Sequence, residues 1–315
     1  MKEIFVTFFD SLFLPQGLSL IESLTEINDF DFELWVICCD DKSFFYLEKL
    51  KINQVKLLKL SALEDENLRI LKKERSLREY YWTITPYTFF WVYELNKSYK
   101  RITYIDADLY FFKSPNPIID ELKKSKKSFL LTKHSYLPEL DQSSSSGIYC
   151  VQFLTAVLPE AIPIIQHWRK QCDNWCFDRF HEGKYGDQKY MEELLNLFPK
   201  NIHILQNESF TQAPWNIGKF EWSNAIFFHF QGLRIDKKYI VDFGYFRISN
   251  NIFKNIYKPY LKKLDQVIRK LELLGWVLKS QSKRPRIFRR ILRRLRIFKN
   301  KLAHYLFYRD NFKLR

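Results

Sequence analysis

Residues Arg101 to Pro115 read RITYIDADLYFFKSP, and the rest of the chain is arranged around them. Ile102, Thr103, Tyr104 and Ile105 have strand character, run into Asp106-Ala107-Asp108, and are followed by an apolar stretch that prolines end. The pattern predicts a buried strand that delivers two carboxylates to its C-terminal edge. On an extended backbone residues i and i+2 point to one side, so both carboxylates converge on one ion, or on an ion and a sugar. Mg²⁺ and Mn²⁺ suit such a pair: they take hard oxygen ligands from one or two carboxylates and fill their shell with water and phosphate oxygens. The small Ala107 lets a ligand approach the backbone. The competing reading is a polar strand end whose aspartates cap the next turn. The flanking apolar strand and aromatic run favour a ligand, because ligands of open α/β sheets sit beyond the carboxyl ends of strands.

Toward the N-terminus, Ile4 to Thr7 reads as a strand followed by Phe8-Phe9-Asp10-Ser11. Pro15-Gln16-Gly17 then opens an amphipathic helix with Leu18, Ile21 and Leu24 on one face. Phe32 to Cys39 is a second strand ending in Asp40-Asp41, Lys42 to Leu50 a helix, and Val55 to Leu58 a third strand. This rhythm predicts a parallel sheet covered on both faces. Neither G-x-G-x-x-G nor G-x-x-x-x-G-K-[ST] occurs in the first hundred residues, which weighs against dinucleotide and P-loop enzymes. Ser76 to Leu95 predicts a helix kinked near Pro86, with Glu79 and Thr83 on one face; a plain aromatic core helix fits the composition as well.

Toward the C-terminus, Phe129 to Thr132 is a strand, His134 to Ser146 a polar loop ending in four serines, and Gly147 to Phe153 a strand again. Helices follow over Pro159 to Trp175 and Gly186 to Phe198, where Asp187 is either a helix cap or a reactive carboxylate. The apolar strand Ala225 to Phe230 carries His229 and leads to Gln231-Gly232-Leu233-Arg234. A histidine inside an apolar strand is commonly a core residue. At a strand end before an arginine, imidazole completes the shell of a divalent ion while the guanidinium grips phosphate.

The 315 residues suffice for one large α/β domain or two modest ones. Five cysteines, unevenly spaced, do not form a disulfide framework, and Cys172, Cys176 and His181 lack the second ligand pair of a zinc site. No stretch approaches the ~18 to 20 apolar residues of a spanning helix, and the start enters a strand directly, so a cytoplasmic protein is expected. Residues 283–315 hold 13 Lys/Arg against one acid, Asp310, and so carry +12 of the net +15. There Ile287, Ile291, Leu295, Phe298, Leu302 and Tyr305 fall on one helical stripe, with arginines filling most of the rest. A basic amphipathic helix predicts a place in an anionic membrane interface; nucleic acid, the other partner for a charge run, has no further support in the chain.

Taken together, FVTFFDSLFLPQGLSLIESL, REYYWTITP, YIDADLYFF, GIYCVQF, WCFDRFHEGKYGDQKYMEELLNLFP, APWN and HFQGLR occur in the order seen in GT-A glycosyltransferases. From about Ile4 to Arg234 the chain resembles bacterial nucleotide-diphospho-sugar transferases, and more distantly glycogenin and the lipopolysaccharide galactosyltransferases. The resemblance implies an α/β GT-A (Rossmann-like) mixed sheet flanked by helices over residues 1–250, with a helical extension over 251–315. It implies nucleotide binding by Thr7, Phe9 and Asp10, with Thr83 nearby, and Mn²⁺ or Mg²⁺ on Asp106, Asp108 and His229. Ala107, Gly147, Gln152, Gly232 and Arg234 would line the donor sugar and diphosphate, Ser146 the acceptor side, and Asp187 and Gln188 the reacting centre. The ending HFQGLR lacks the Lys-Pro-Trp of better-known relatives, which bears on Arg234. The implied reaction is transfer, with retention, from a nucleotide-diphospho-sugar to a cell-surface glycan or lipid-linked acceptor at the inner face of the membrane. The rival expectation is a non-catalytic membrane adaptor on a degenerate transferase domain.

Overall fold

A computed structural model describes residues 2–244, 246, 248–281 and 312–314. Strands β1 (Glu3–Phe9), β2 (Phe32–Cys38), β3 (Val55–Lys59) and β4 (Arg101–Ile105) lie parallel in the order β3-β2-β1-β4. Their buried residues, such as Phe5, Val6, Leu34 and Ile102, read as near-continuous apolar runs because helices cover both faces. After the short β5 (Leu109–Phe111), the sheet continues with β6 (Phe129–Lys133), β7 (Tyr149–Val157) and β8 (Ile202–Ile204), giving the full order β3-β2-β1-β4-β7-β6-β8. β7 runs antiparallel to both β4 and β6, so the sheet is mixed. The fold is therefore α/β of the expected kind.

Beyond the carboxyl end of β4, β5 joins a small second sheet, β5-β10-β9, built with β9 (Thr211–Gln212) and β10 (Phe227–His229). A third sheet pairs β11 (Arg234–Ile235), β12 (Ile240–Asp242) and β13 (Phe312–Lys313). Helix α1 (Leu14–Thr25) follows β1; a Cβ on Gly17 would lie 2.4 Å from the Phe9 ring, so only glycine lets the helix settle onto the strand. Asp40 caps helix α2 (Asp41–Leu50) by accepting from the Ser43 amide at 2.7 Å. The aromatic segment forms two helices, Leu77–Ile84 and Tyr87–Leu95, that break at Pro86 as predicted.

The described part of the helical extension, residues 251–281, packs onto the sheet domain. Leu261, Leu264, Val267, Ile268 and Leu271 of the helix Lys258–Leu273 bury into the same apolar core as Phe5, Leu18 and Ile21. Lys263, on its inner face, pairs with Glu22 and Glu26 of α1. Of the basic stretch 283–315, only 312–314 falls within the described residues: Phe312–Lys313 form β13, which extends the third sheet, and Leu314 after it is buried. The expected amphipathic stripe over 287–305 lies outside the described residues.

Candidate active site

The two aspartates reach one point by a turn. Asp106 follows the last residue of β4, the Leu109 amide bonds back to the Asp106 carbonyl at 3.3 Å, and β5 then reverses alongside β10. The extended i, i+2 geometry expected from the sequence is thus replaced by a tight strand-to-strand turn. The register of β10 on β5 sets His229 opposite Leu109, and the Phe230 amide bonds the Asp108 carbonyl at 2.9 Å. His229 Nε2 consequently lies 3.0 Å from Asp108 Oδ1 and 3.7 Å from Asp106 Oδ2. Ligand atoms of the three residues fall within 4.8 Å of one another, the one such three-residue group of Asp, Glu, His or Cys among the described residues.

Each member is held from behind. Gln152 on β7 places Oε1 2.9 Å from His229 Nδ1, while its own carbonyl accepts from the Asp106 amide at 3.0 Å. The Tyr104 hydroxyl donates to Asp106 Oδ1 at 2.8 Å, and the Trp215 ring packs edge-on against the imidazole at 5.3 Å. Nδ1–H donated to Gln152 leaves Nε2 facing the carboxylates, the tautomer that a metal-ligating histidine needs. Two carboxylates and one imidazole nitrogen suit a Mn²⁺-like ion, which accepts mixed oxygen and nitrogen ligands, and the residues fit the implied metal.

The electrostatics bind the cluster together. Burial works against charge on His229, but the Asp108 and Asp106 carboxylates outweigh it and hold its pKa well above the ordinary 6.5. Burial likewise raises Asp108, and the imidazolium beside it brings the net shift below the usual carboxylate range. Asp106 goes up: burial leads, the imidazolium opposes, and the Asp108 charge adds to it. Asp187 is pushed up to about 7 by burial and then by the Asp106 charge, against the pull of backbone amides and the Thr85 hydroxyl. A carboxyl so placed carries a proton about as often as not at neutral pH.

Asp187 is not the cap of the following helix. That helix spans Tyr190–Leu197, its N-cap residue is Lys189, and Asp187 is buried in the turn before it. Gln188 donates to the Ser146 carbonyl at 2.6 Å, and so sits beside Gly147, whose φ of +97° ends the short helix Ser143–Ser146 in place of the expected loop. Arg234 lies over the Phe13 ring at 4.9 Å, next in the chain to Leu233, and Gly232 makes the turn before it. Asp10 accepts from the Leu12 and Phe13 amides at 3.0 and 3.1 Å and from Tyr81, and a run of rings, Tyr81, Phe8 and Tyr104, connects it to Asp106. Ala107 lies in the turn between the two carboxylates.

Phe9, Thr83 and Thr7, also expected at the nucleotide, have the following surroundings. Phe9 buries its ring against Gly17, as the inward side of a strand dictates, and leaves only backbone at the turn. Thr83 is fully buried and spends its hydroxyl on Arg75 and the Glu79 carbonyl, between the helices Leu77–Ile84 and Ile162–Asn174. Thr7 is buried with no partner for Oγ1 among the described residues, within β1 and short of its end. Cys172 and Cys176 are buried while His181 is exposed, which separates the would-be zinc ligands.

The architecture is that of the GT-A glycosyltransferases. The fold matches mouse xyloside xylosyltransferase 1 over 74% of this chain and 98% of that one, with a TM-score of 0.52 at 11% identity. It also matches the active-site mutant of LgtC over 84% and 95% at TM-score 0.52 and 11% identity. For the bifunctional WbbM the match covers 88% of this chain but 52% of that one, at TM-score 0.54 and 10% identity. In sequence, the chain is 31% identical over 242 residues to the uncharacterized protein YfnF of Bacillus subtilis, covering 70% of this chain and 78% of that protein. It is 29% identical over 273 residues to YfnD of the same organism, covering 81% and 86%. The chain belongs to the family of YfnF. No protein-family model matches it.

Proposed function

We propose that the protein is a metal-dependent glycosyltransferase that moves a sugar from a nucleotide-diphospho-sugar to a glycan or lipid-linked acceptor, with retention of configuration. The observation that carries the reading is the Asp106, Asp108 and His229 cluster at the carboxyl end of β4 in a GT-A fold. Asp106, Asp108 and His229 would hold Mn²⁺ or Mg²⁺, which when bound supplies Lewis-acid stabilisation of the departing diphosphate. The bond from the sugar's anomeric carbon to the phosphate oxygen breaks, the nucleoside diphosphate leaves, and the acceptor oxygen takes its place. The acceptor's proton passes to the departing phosphate oxygen, so no protein base is required.

The residues of the chain orient and exclude. Gln152 fixes the imidazole, Tyr104 fixes Asp106, and the Arg234 guanidinium, whose charge is felt at Asp108, would meet a diphosphate there. Asp187, with its pKa near 7, can donate or accept a hydrogen bond to a sugar hydroxyl, and the Gln188 amide beside Gly147 aligns the same ring. Asp10 and the turn after β1 would receive the nucleoside. A panel of sugar nucleotides, screened for Mn²⁺-dependent hydrolysis and thermal stabilisation, tests the reading. No response from any donor, with vesicle binding intact, would favour the adaptor instead. The anomeric configuration of the product, read by NMR, tests retention.

The acceptor is proposed to lie at an anionic membrane surface, reached by the basic stretch 283–315 at the inner face of the cell membrane. Supporting this, Leu273 and Val277, 88% and 72% exposed, project just before that stretch, beside Lys270 and Lys279. No helix among the described residues is long and apolar enough to cross a membrane. Binding to phosphatidylglycerol-containing vesicles should weaken with salt without vanishing, since apolar insertion is not screened. Replacing Leu273 and Val277 with serine should cost a few-fold more. Vesicle binding that disappears entirely at moderate salt, or a protein that prefers nucleic acid at physiological salt, would remove the membrane from the reading.

A further inference from the structure

The turn after β1 is held from two sides, and the outer side comes from the far end of the chain. On the inner side, carboxylates take its amides: Asp40 accepts from the Ser11 amide at 3.1 and 3.2 Å, and Asp10 from those of Leu12 and Phe13. On the outer side, the segment after the helix Lys258–Leu273 takes its carbonyls. Trp276 Nε1 donates to the Ser11 carbonyl at 3.2 Å, and Gln281 Nε2 donates to the Leu12 carbonyl at 2.8 Å. Each polar group that fixes the turn's position therefore has a named partner.

Gln281 does more than close the turn. Its amide pairs reciprocally with that of Gln16 in α1, at 2.7 and 2.9 Å, and Gln16 is buried. Its Oε1 also accepts from the Ile235 amide at 3.0 Å, while its own backbone amide donates to the Ile235 carbonyl at 3.0 Å. Gln281 thus joins the edge of β11, beside Arg234, to the turn at Ser11 and Leu12. Arg234 in turn lies over Phe13 of that turn. One side chain, 265 residues from Gln16 in sequence, ties together the two walls of the site.

We propose that Gln281 is a positioning residue of the donor site: it holds the turn after β1 in register with the strand that carries Arg234, and so sets donor affinity without touching the reacting atoms. The proposal rests on the donor reading given above. A side chain with four hydrogen bonds to three segments, the turn after β1, α1 and β11, costs little to reorganise when a ligand arrives, because the walls are already fixed. Its loss should therefore appear as weaker binding more than as slower chemistry.

The test uses the full chain with Mn²⁺ and titrates UDP, GDP, CDP and ADP by calorimetry, following whichever binds. Gln281→Leu should weaken that nucleotide about tenfold, and raise the donor KM while largely keeping kcat. Gln281→Glu keeps an acceptor for Ile235 but loses the donor to Leu12, and should fall between. Lys263→Met serves as the control for stability alone: it breaks the pairs to Glu22 and Glu26 at the other end of α1, and should lower Tm while leaving nucleotide affinity unchanged. Wild-type binding that Gln281→Leu leaves intact, or that Lys263→Met weakens equally, overturns the positioning role and spares the donor reading. A wild-type chain that binds none of the four nucleotides overturns the donor reading, and the positioning role with it.

Discussion

The Asp106, Asp108 and His229 cluster and the turn after β1 are the two halves of the proposed site, built by opposite means. Asp106 and Asp108 stand two residues apart on one strand end, and one neighbouring strand supplies His229 across a register that the backbone bond from Phe230 to Asp108 fixes. The turn after β1 depends on Asp40, the cap of α2, and on Trp276 and Gln281 from beyond the last helix of the core. The first half is compact in sequence and gathers its charges in one cluster; the second is dispersed, with the Asp10 and Asp40 carboxylates on one side and the neutral side chains of Trp276 and Gln281 on the other. A charged half fails through chemistry, whereas a dispersed one fails through geometry, and the predicted effects divide accordingly.

The largest effect belongs to the charged half. Asp108→Ala removes a carboxylate that pairs with His229 and would hold the proposed ion, so metal-dependent turnover should fall by about a thousandfold or more, with the fold retained. Asp106→Ala should be milder, because its contact with His229 is longer at 3.7 Å. Calorimetry with Mn²⁺ and hydrolysis of the donor read both, alongside a circular dichroism check of folding. Turnover unchanged in both variants would remove the cluster from the reaction and leave it a structural ion pair.

Next in size is the dispersed half, through stability. Leu314 is buried in the core that holds α1 and the helix Lys258–Leu273, and β13 fastens it to β12. Leu314→Ala should cost about 2 to 4 kcal/mol by denaturant unfolding, as buried leucines do. A cost near zero would mean that the end of the basic stretch is not docked in solution, and that the third sheet is complete without it.

The same division explains what the sequence made legible. The strand-helix rhythm of residues 4–58 and the break at Pro86 carry local signals, apolar periodicity and proline sterics, and both appear in the structure. The Asp-x-Asp pair was visible because its members are neighbours in the chain, although the turn that joins them was not. A strand and a tight turn differ here by one backbone hydrogen bond, from Leu109 to Asp106, which side-chain pattern does not encode. The resemblance that points to Phe9 and Thr83 concerns their segments, and only packing against Gly17 and Arg75 shows where their side chains go. Gln281 offered no signal at all: a lone glutamine before a basic run has no local pattern that points to Leu12. Tyr104 was readable as strand, but its role as donor to Asp106 follows from its position two residues before that carboxylate.

The smallest effect is a pH dependence confined to the charged half, and its sign follows from two groups. Asp187 has a folded pKa of about 7 against an ordinary 3.8, so the folded chain binds the proton more tightly than the unfolded one between those values. The burial penalty for charging it is absent below 3.8, grows as pH rises, and is fully present above 7. His229, held well above 6.5 by Asp108 and Asp106 against the cost of burial, contributes stability that is complete below 6.5 and lost as pH rises through its folded pKa. Both groups therefore make the chelator-treated protein less stable from pH 6 to 8, by on the order of 1 kcal/mol from Asp187. Mn²⁺ should reverse the trend, because its binding displaces the His229 proton and so strengthens with pH. Thermal melts in EDTA and in Mn²⁺ across this window measure the two slopes, and Asp187→Asn should flatten the EDTA slope while His229→Asn flattens both. An EDTA slope that neither variant changes would mean that Asp187 and His229 do not titrate in this window, and that other groups carry the slope.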